Sequence, residues 1–203
     1  MEKTIGRMSL YRRLLLDIEK RGASHVYSHE LARVAGIGAA QVRRDLMTMG
    51  FSGSPSKGYH VADLIGHIGT AIDPPEQQRV ALVGVGNLGR AILAYFHGRR
   101  PKLAIVAAFD DDSAKVDKVV HGCRCHPLRA MSEIVPALDI TVGIITVPAE
   151  SAQDIADRLV NLDIKGILNF APAALRVPPG VFVDTMDITT ALEKVAYFAR
   201  KGR

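Results

Sequence analysis

Residues 84–89 read Gly-Val-Gly-Asn-Leu-Gly. They follow the apolar run Arg79-Val80-Ala81-Leu82-Val83 and precede a second apolar run over 91–96. Glycines at this spacing, entered from a strand and left into a helix, can cradle a pyrophosphate. Gly84 makes the tight turn, Gly86 lets a phosphate approach the backbone, and Gly89 lets helix and strand pack closely. Asn87 and Leu88 sit at the helix start, where free N–H groups and the helix dipole favour an anion. A further apolar run, 103–109, ends at Asp110, with Asp111 and Asp112 behind it. A carboxylate at that strand end accepts hydrogen bonds from a ribose diol and repels a 2′-phosphate, which favours NAD(H) over NADP(H). Strand, turn, helix and acid together point to a bound dinucleotide rather than to glycines kept for packing.

A second group of reactive types lies near the N-terminus. Residues 39–47 have Val42 and Leu46 one turn apart, so Gln41, Arg43 and Arg44 cannot share their inward face. Gln suits adenine edges, Arg suits guanine edges, and both also hold phosphates. Upstream, Ser28 is placed to N-cap a helix that carries Leu31, Ala32, Val34 and Ala35 inward and stops at Gly36. Helix, glycine turn and helix make a helix-turn-helix. The run Phe51-Ser-Gly-Ser-Pro-Ser-Lys57-Gly-Tyr-His-Val61 then reads as a hairpin with Lys57 at its tip, where it meets a phosphate or the minor groove. A bland alternative is a helical oligomerisation or lid domain with exposed arginines.

The elements that must position these groups fall into two parts. An apolar face over 9–20 (Leu10, Leu14, Leu15, Ile18) marks a first helix, and Val61, Leu64, Ile65, Ile68 and Ile72 mark a linker helix over 61–72. Asp73-Pro74-Pro75 breaks it. Beyond the break, short β-branched runs alternate with helical spacing, the pattern of a parallel α/β sheet. Strands are expected over 79–83, 103–109, 139–147, 165–169 and 181–183, and helices over 148–162 and 188–201. Ligands in such sheets lie beyond the strand C-termini, so Thr146, Val147, Pro148, Asn169, Phe170 and Ala171 are the candidate nicotinamide-side lining. The expected architecture is a doubly wound Rossmann α/β domain behind an N-terminal winged helix.

Composition narrows the function classes. Of 203 residues, 48% are hydrophobic and 23% charged, which excludes a disordered chain, and the net charge of +5 permits a polyanionic partner without requiring one. Basic residues are spread over both halves, so a nucleic-acid reading rests on where they sit. No apolar run is long enough to span a membrane, the charged N-terminus does not read as a signal peptide, and Cys123 and Cys125 cannot make a disulfide framework. The expectation is a cytoplasmic protein. A hydride-transfer enzyme needs an acid or base near the transferred hydrogen, and the loops after the later strands offer no His, Lys or Glu there. His121-Gly-Cys123-Arg-Cys125-His126 holds four soft ligands and could hold zinc or a thiol pair, but it lacks zinc-knuckle spacing and falls where a third strand belongs.

Over almost its whole length the chain resembles the Rex redox-sensing transcriptional repressors. The resemblance is carried by SHELARVAGIGAAQVRRDL, VALVGVGNLGRA, AAFDDD, VPAESAQDIAD, IKGILNFAP and MDITTAL. It implies a homodimer with a winged-helix domain and linker over 1–73, a Rossmann NAD(H)-binding domain over 79–185, and a domain-swapped C-terminal helix over 186–203. It also implies binding to palindromic operators and release by NADH, with no catalytic residue and no metal. An NAD-dependent oxidoreductase with a helical accessory domain is the rival reading. By position the resemblance carries over inter-domain switch contacts at Arg13, Tyr95 and Asp187, and implies that Arg13 and Asp187 are the pair between subunits that is exchanged as NADH binds. Two departures stand out: the wing FSGSPSKGY is shorter and poorer in glycine than the family's, and Ile188 stands where an aromatic often follows the aspartate.

Overall fold

In the first of two units, Met1–Pro75, the described residues form four helices and a two-stranded ribbon. The structure is a computed structural model that describes residues 2–54, 57–99 and 102–201. Helix α1 (Glu2–Lys20) starts a full two turns before the expected residue 9. Gly6 and β-branched residues mask those turns in the sequence, and burial of Met8 stabilises them. The buried face of α1 is Met8, Tyr11 and Leu15, rotated from the expected stripe; Leu14 and Ile18 pack only at its margin. Strand β1 (His25–Val26) leads into α2 (Ser28–Ala35). Tyr27, not Ser28, takes the N-cap position, and the Glu30 carboxylate accepts the Tyr27 N–H at 2.8 Å. Val34, expected inside, is exposed.

Gly36 ends α2 in the left-handed region at φ 66°, and α3 (Ala39–Thr48) follows with Val42 and Leu46 fully buried. Strand β2 (Tyr59–His60) pairs antiparallel with β1, and paired Ser54–Gly58 backbone bonds of 2.8 Å close the hairpin above it. Lys57 is exposed beside that bridge, while Pro55 and Ser56 lie outside the described residues. Helix α4 (Val61–Ile72) covers its predicted span and buries Val61, Leu64 and Ile68.

The second unit, Glu76–Arg203, is built on a sheet buried on both faces. Its strands are β3 (Gln78–Val83), β4 (Leu103–Asp110), β5 (Val119–Val120), β6 (Cys123–Pro127), β7 (Ile140–Ile145), β8 (Gly166–Asn169) and β9 (Phe182–Thr185), in the order β5-β6-β4-β3-β7-β8-β9. All neighbours are parallel except the β5–β6 edge pair. Without β5 this is the Rossmann order, whose switch point falls between β3 and β7. Val80 and Leu82 face one core with Ile92 and Leu93 of α5 (Asn87–Phe96). Ala81 and Val83 face the other, with α6 (Met131–Ala137) and α7 (Ala149–Asn161). Helix α6 and the 3-10 turn Leu128–Ala130 carry no clear sequence signal, because α6 is seven residues long and contains Pro136.

Helix α8 (Ile188–Lys201) closes the chain over its expected span, but none of its residues is buried. Ile188, Leu192, Val195 and Phe198 lie along one stripe, each more than 60% exposed.

Candidate functional site

Parallel pairing at the switch point brings the glycine turn against the end of β7. Gly84, at φ 100°, carries its Cα so close to Thr146 that a Cβ would lie 2.8 Å from the Thr146 carbonyl. At Gly89 a Cβ would collide with the Gly84 carbonyl oxygen. Only glycine permits the turn and the helix to meet at these two positions. Thr146 clamps the junction: its hydroxyl donates to the Gly84 carbonyl at 2.6 Å and the Val83 carbonyl at 3.0 Å. Gly86 N-caps α5 and is different, since a Cβ there would meet nothing within 4 Å. It leaves open the approach to the first-turn amides of Asn87, Leu88 and Gly89, which have no intrahelical acceptor.

A cavity of about 620 Å³ opens here, lined by Gly84, Gly86, Asp110, Lys115, Thr146, Val147 and Pro148 among others. That is the size of a small-molecule site. The sequence reading missed Lys115, Leu128, Ser151, Asp154, Ile155 and Arg158 on the same wall. Lys115 had a signal, since it follows the acidic strand end within five residues. Asn87, Leu88, Gly89, Asn169, Phe170 and Ala171 do not line this cavity.

The Asp110 carboxylate is 5% exposed and held by three donors. It accepts the Val85 N–H at 2.6 Å and the Asp112 N–H at 2.9 Å, and the Lys115 ammonium lies 3.2 and 3.3 Å from its two oxygens. Burial pushes its pKa up, but the two amides and Lys115 outweigh that and hold it below the usual carboxylate value. The acid thus stays ionised, braces the glycine turn through Val85, and is paired with Lys115, a cation that no sequence motif marked. Asn169 is fully buried and spent on its own turn: its amide nitrogen donates to the carbonyls of Ala171 and Ala173, and its oxygen accepts the Ala171 N–H. Its side chain therefore shapes the strand end rather than facing the cavity. Phe170 packs at the margin of the α5-side core, and Ala171 is buried.

On α3, Arg43 and Arg44 are exposed. Arg43 donates to the Ser28 hydroxyl at 3.1 Å. Gln41 does not stand free as the sequence suggested. Its amide nitrogen donates to Asp45 at 2.8 Å, and its oxygen accepts from Arg44 at 3.0 Å. Asp45, 3% exposed, also accepts from Arg7 at 2.6 and 2.7 Å and from the Tyr11 hydroxyl at 2.9 Å. The Arg7 hydrogen bond, against burial, holds the Asp45 pKa below its usual value.

Arg13 is exposed on α1 and Tyr95 is 56% exposed on α5, with the Arg99 guanidinium 4.9 Å above its ring. Asp187 caps α8, accepting the Thr190 N–H at 3.0 Å and hydroxyl at 2.7 Å, and Ile188 is exposed at the helix start. The cysteine cluster is split by the strand pleat. Cys123 and Cys125 are buried on the α5 side, while the His126 ring packs 5.8 Å from Phe109 of the opposite core. Among the described residues no three metal-ligating side chains converge.

Comparison with known proteins finds matches in both units. Residues 2–46 match the model of a putative DNA-binding protein N-terminus, and residues 75–173 match that of a CoA binding domain. The chain is 38% identical to the redox-sensing transcriptional repressor Rex of Carboxydothermus hydrogenoformans over 98% of its own length and 96% of the relative's. The crystal structure of RSP, solved with β-NAD⁺ and operator DNA, superposes with a TM-score of 0.91 at 27% identity, covering 100% of this chain and 93% of that one. RSP with β-NADH gives a TM-score of 0.87, covering 100% and 95% at the same identity.

Proposed function

Because the chain belongs to the Rex family of redox-sensing transcriptional repressors, we propose that it is a homodimeric repressor that binds palindromic operator DNA and is released by NADH. The observation that carries this reading is that one chain holds both an open glycine cleft with an ionised carboxylate at the end of β4 and a helix-turn-helix with Arg43 and Arg44 exposed.

The cleft fits a dinucleotide. Gly86 leaves the amides of Asn87, Leu88 and Gly89 bare for a pyrophosphate, and Gly84 gives the backbone its close turn. Asp110, with Lys115 beside it, takes the adenosine ribose, and Thr146, Val147 and Pro148 flank the path toward Asn169, Phe170 and Ala171 at the nicotinamide end. The bound nicotinamide supplies the signal, being cationic when oxidised and neutral when reduced. On this reading no residue transfers a proton, and the chain is a regulator rather than an enzyme. The cavity's ionisable side chains are Asp110, Asp111, Lys115, Asp154 and Arg158, and Asn169 is tied up in its own turn. A repressor of this kind works in the cytoplasm, and among the described residues no helix is long and apolar enough to cross a membrane.

The functional division proposed is 1–73 for DNA and linker, 79–185 for the dinucleotide and 186–203 for the partner subunit. The bare stripe of α8 supports the last assignment, since an amphipathic helix gains stability by covering such a face. Arg13, Tyr95, Asp187 and Ile188 form the proposed switch between subunits. NADH and DNA are then reciprocally coupled, each weakening the other by the same factor. A mobility shift on A/T-rich palindromic duplexes, with and without NADH, tests this. Retarded complexes that dissolve with NADH support it; no complex on any palindrome, or one indifferent to NADH, refutes it.

A further inference from the structure

We propose that Asp45 and Gln41 are positioning residues for operator recognition: they form a fixed relay that aims Arg44, so that Gln41 holds an arginine rather than reads a base. The proposal rests on the reading of α3 as the recognition helix and goes beyond it by assigning the order of action among its polar residues.

The relay has one polarity. The Asp45 carboxylate is a pure acceptor and can face only the amide nitrogen of Gln41, at 2.8 Å. The Arg44 guanidinium is a pure donor and can face only the amide oxygen, at 3.0 Å. A neutral amide is the group that joins an acceptor to a donor in this way, and both its ends are used. Asp45 itself is immobile. It is 3% exposed and pinned to α1 by two Arg7 hydrogen bonds and one from Tyr11, whose ring is fully buried. A rigid anchor, a half-buried link and an exposed tip therefore run in series from the domain core to the DNA-facing surface. Arg43 lies outside the series, anchored to Ser28 of α2. An arginine held in advance loses less side-chain entropy on meeting a guanine edge than a free one does.

Double-mutant cycles on the full chain separate this from base reading by Gln41. The probe is a palindromic duplex selected from random sequence by the wild-type protein, with Kd measured at one fixed salt concentration. Gln41→Ala is expected to weaken binding about threefold to tenfold, in the lower part of the range of measured pair couplings. The same substitution in an Arg44→Ala background is expected to change nothing further, while in an Arg43→Ala background it keeps its full effect. Asp45→Asn, which keeps one acceptor oxygen, is expected to lose less than Asp45→Ala and to be coupled to Gln41 and Arg44 but not to Arg43. Thermal midpoint and NADH affinity of Gln41→Ala stay at wild-type values, so a general loss of structure cannot produce the pattern. An equal cost of Gln41→Ala with and without Arg44 overturns the relay. So does a 7-deazaadenine duplex that weakens wild type but not Gln41→Ala, which makes Gln41 a reader of adenine. If neither Arg43→Ala nor Arg44→Ala alters binding, the recognition-helix reading falls and the relay falls with it.

Discussion

Replacing Asp110 by alanine separates the two jobs this carboxylate holds. The first is structural. The Val85 N–H, buried inside the glycine turn, loses its 2.6 Å acceptor, and the Asp112 N–H loses one at 2.9 Å. An orphaned buried amide costs about 1–3 kcal/mol, so the second unit's unfolding midpoint should fall by several degrees. The second job is selection. NADH loses a charged acceptor for its ribose hydroxyls, worth about 1.5–3 kcal/mol or roughly 10- to 150-fold in Kd. NADPH, which has no 2′-hydroxyl to donate, loses less and is relieved of a repulsion, and the Lys115 ammonium, 3.2 Å from Asp110 and 3.5 Å from Asp112 in the wild type, keeps one carboxylate partner fewer beside the 2′-phosphate. Opposite unit charges about 4 Å apart attract by about 1 kcal/mol in water and about 4 kcal/mol in a protein-surface dielectric; Lys115 is 36% exposed, so the lower half of that range applies. The NADH:NADPH affinity ratio should therefore fall by at least about tenfold. Isothermal titration with both dinucleotides at one ionic strength reads this directly. Asp110→Asn, which keeps the size and one acceptor but no charge, should move the ratio while disturbing the midpoint less. Ratios within about threefold of wild type in both variants would refute the assignment of Asp110 as the selecting acid.

Lys57→Ala should weaken binding to all duplexes alike and reduce the slope of log K against log salt by about one unit; an unchanged slope removes the hairpin from the interface. Asp187→Asn keeps a helix-capping side chain while removing the charge, so it should preserve α8 but lose NADH-induced release from operator, whereas Asp187→Ala loses both; normal release in Asp187→Asn rules this residue out as the switch. The depressed Asp45 pKa means the folded first unit binds fewer protons than the unfolded chain, so its contribution is fully present above about pH 4 and is lost as pH falls through the lower native value. Hydrogen-exchange protection of α1 and α3 should accordingly collapse on acidification in wild type and change less in Asp45→Asn; equal acid sensitivity contradicts the sign. Burial pushes the Cys123 thiol up to about 11, with Cys125 adding to the shift, so both should resist alkylation at pH 7.5 and react only on unfolding; native labelling at a free-thiol rate would contradict their burial.

The parallel sheet, the glycine turn and Asp110 were legible because each leaves a local mark: a β-branched run, a fixed spacing, an acid at a strand end. Helix α4 was legible to its last residue for the same reason, its apolar period being unbroken. What stayed hidden depends on distant partners. Tyr11 looks like an ordinary aromatic until Asp45, thirty-four residues away, is seen to accept its hydroxyl. Asp45 itself reads as a surface charge between Arg44 and Leu46, and only the approach of α1 buries it. Gln41 was read as free because helical period tells which face a residue occupies and not what its side chain is bonded to. Lys115 reaches the cavity from the loop after β4, and Asp154 and Arg158 reach it from α7, and no spacing along the chain announces that.

The exposed stripe of α8 has a genetic corollary. If a second chain covers Ile188, Leu192, Val195 and Phe198, subunits are exchanged at synthesis without regard to the state of their DNA-binding halves. An allele damaged only in α3 would still recruit intact subunits, and each mixed pair would grip one half of a palindrome. Such an allele is expected to be dominant over the wild type in proportion to its expression. An allele truncated before residue 186 would be recessive.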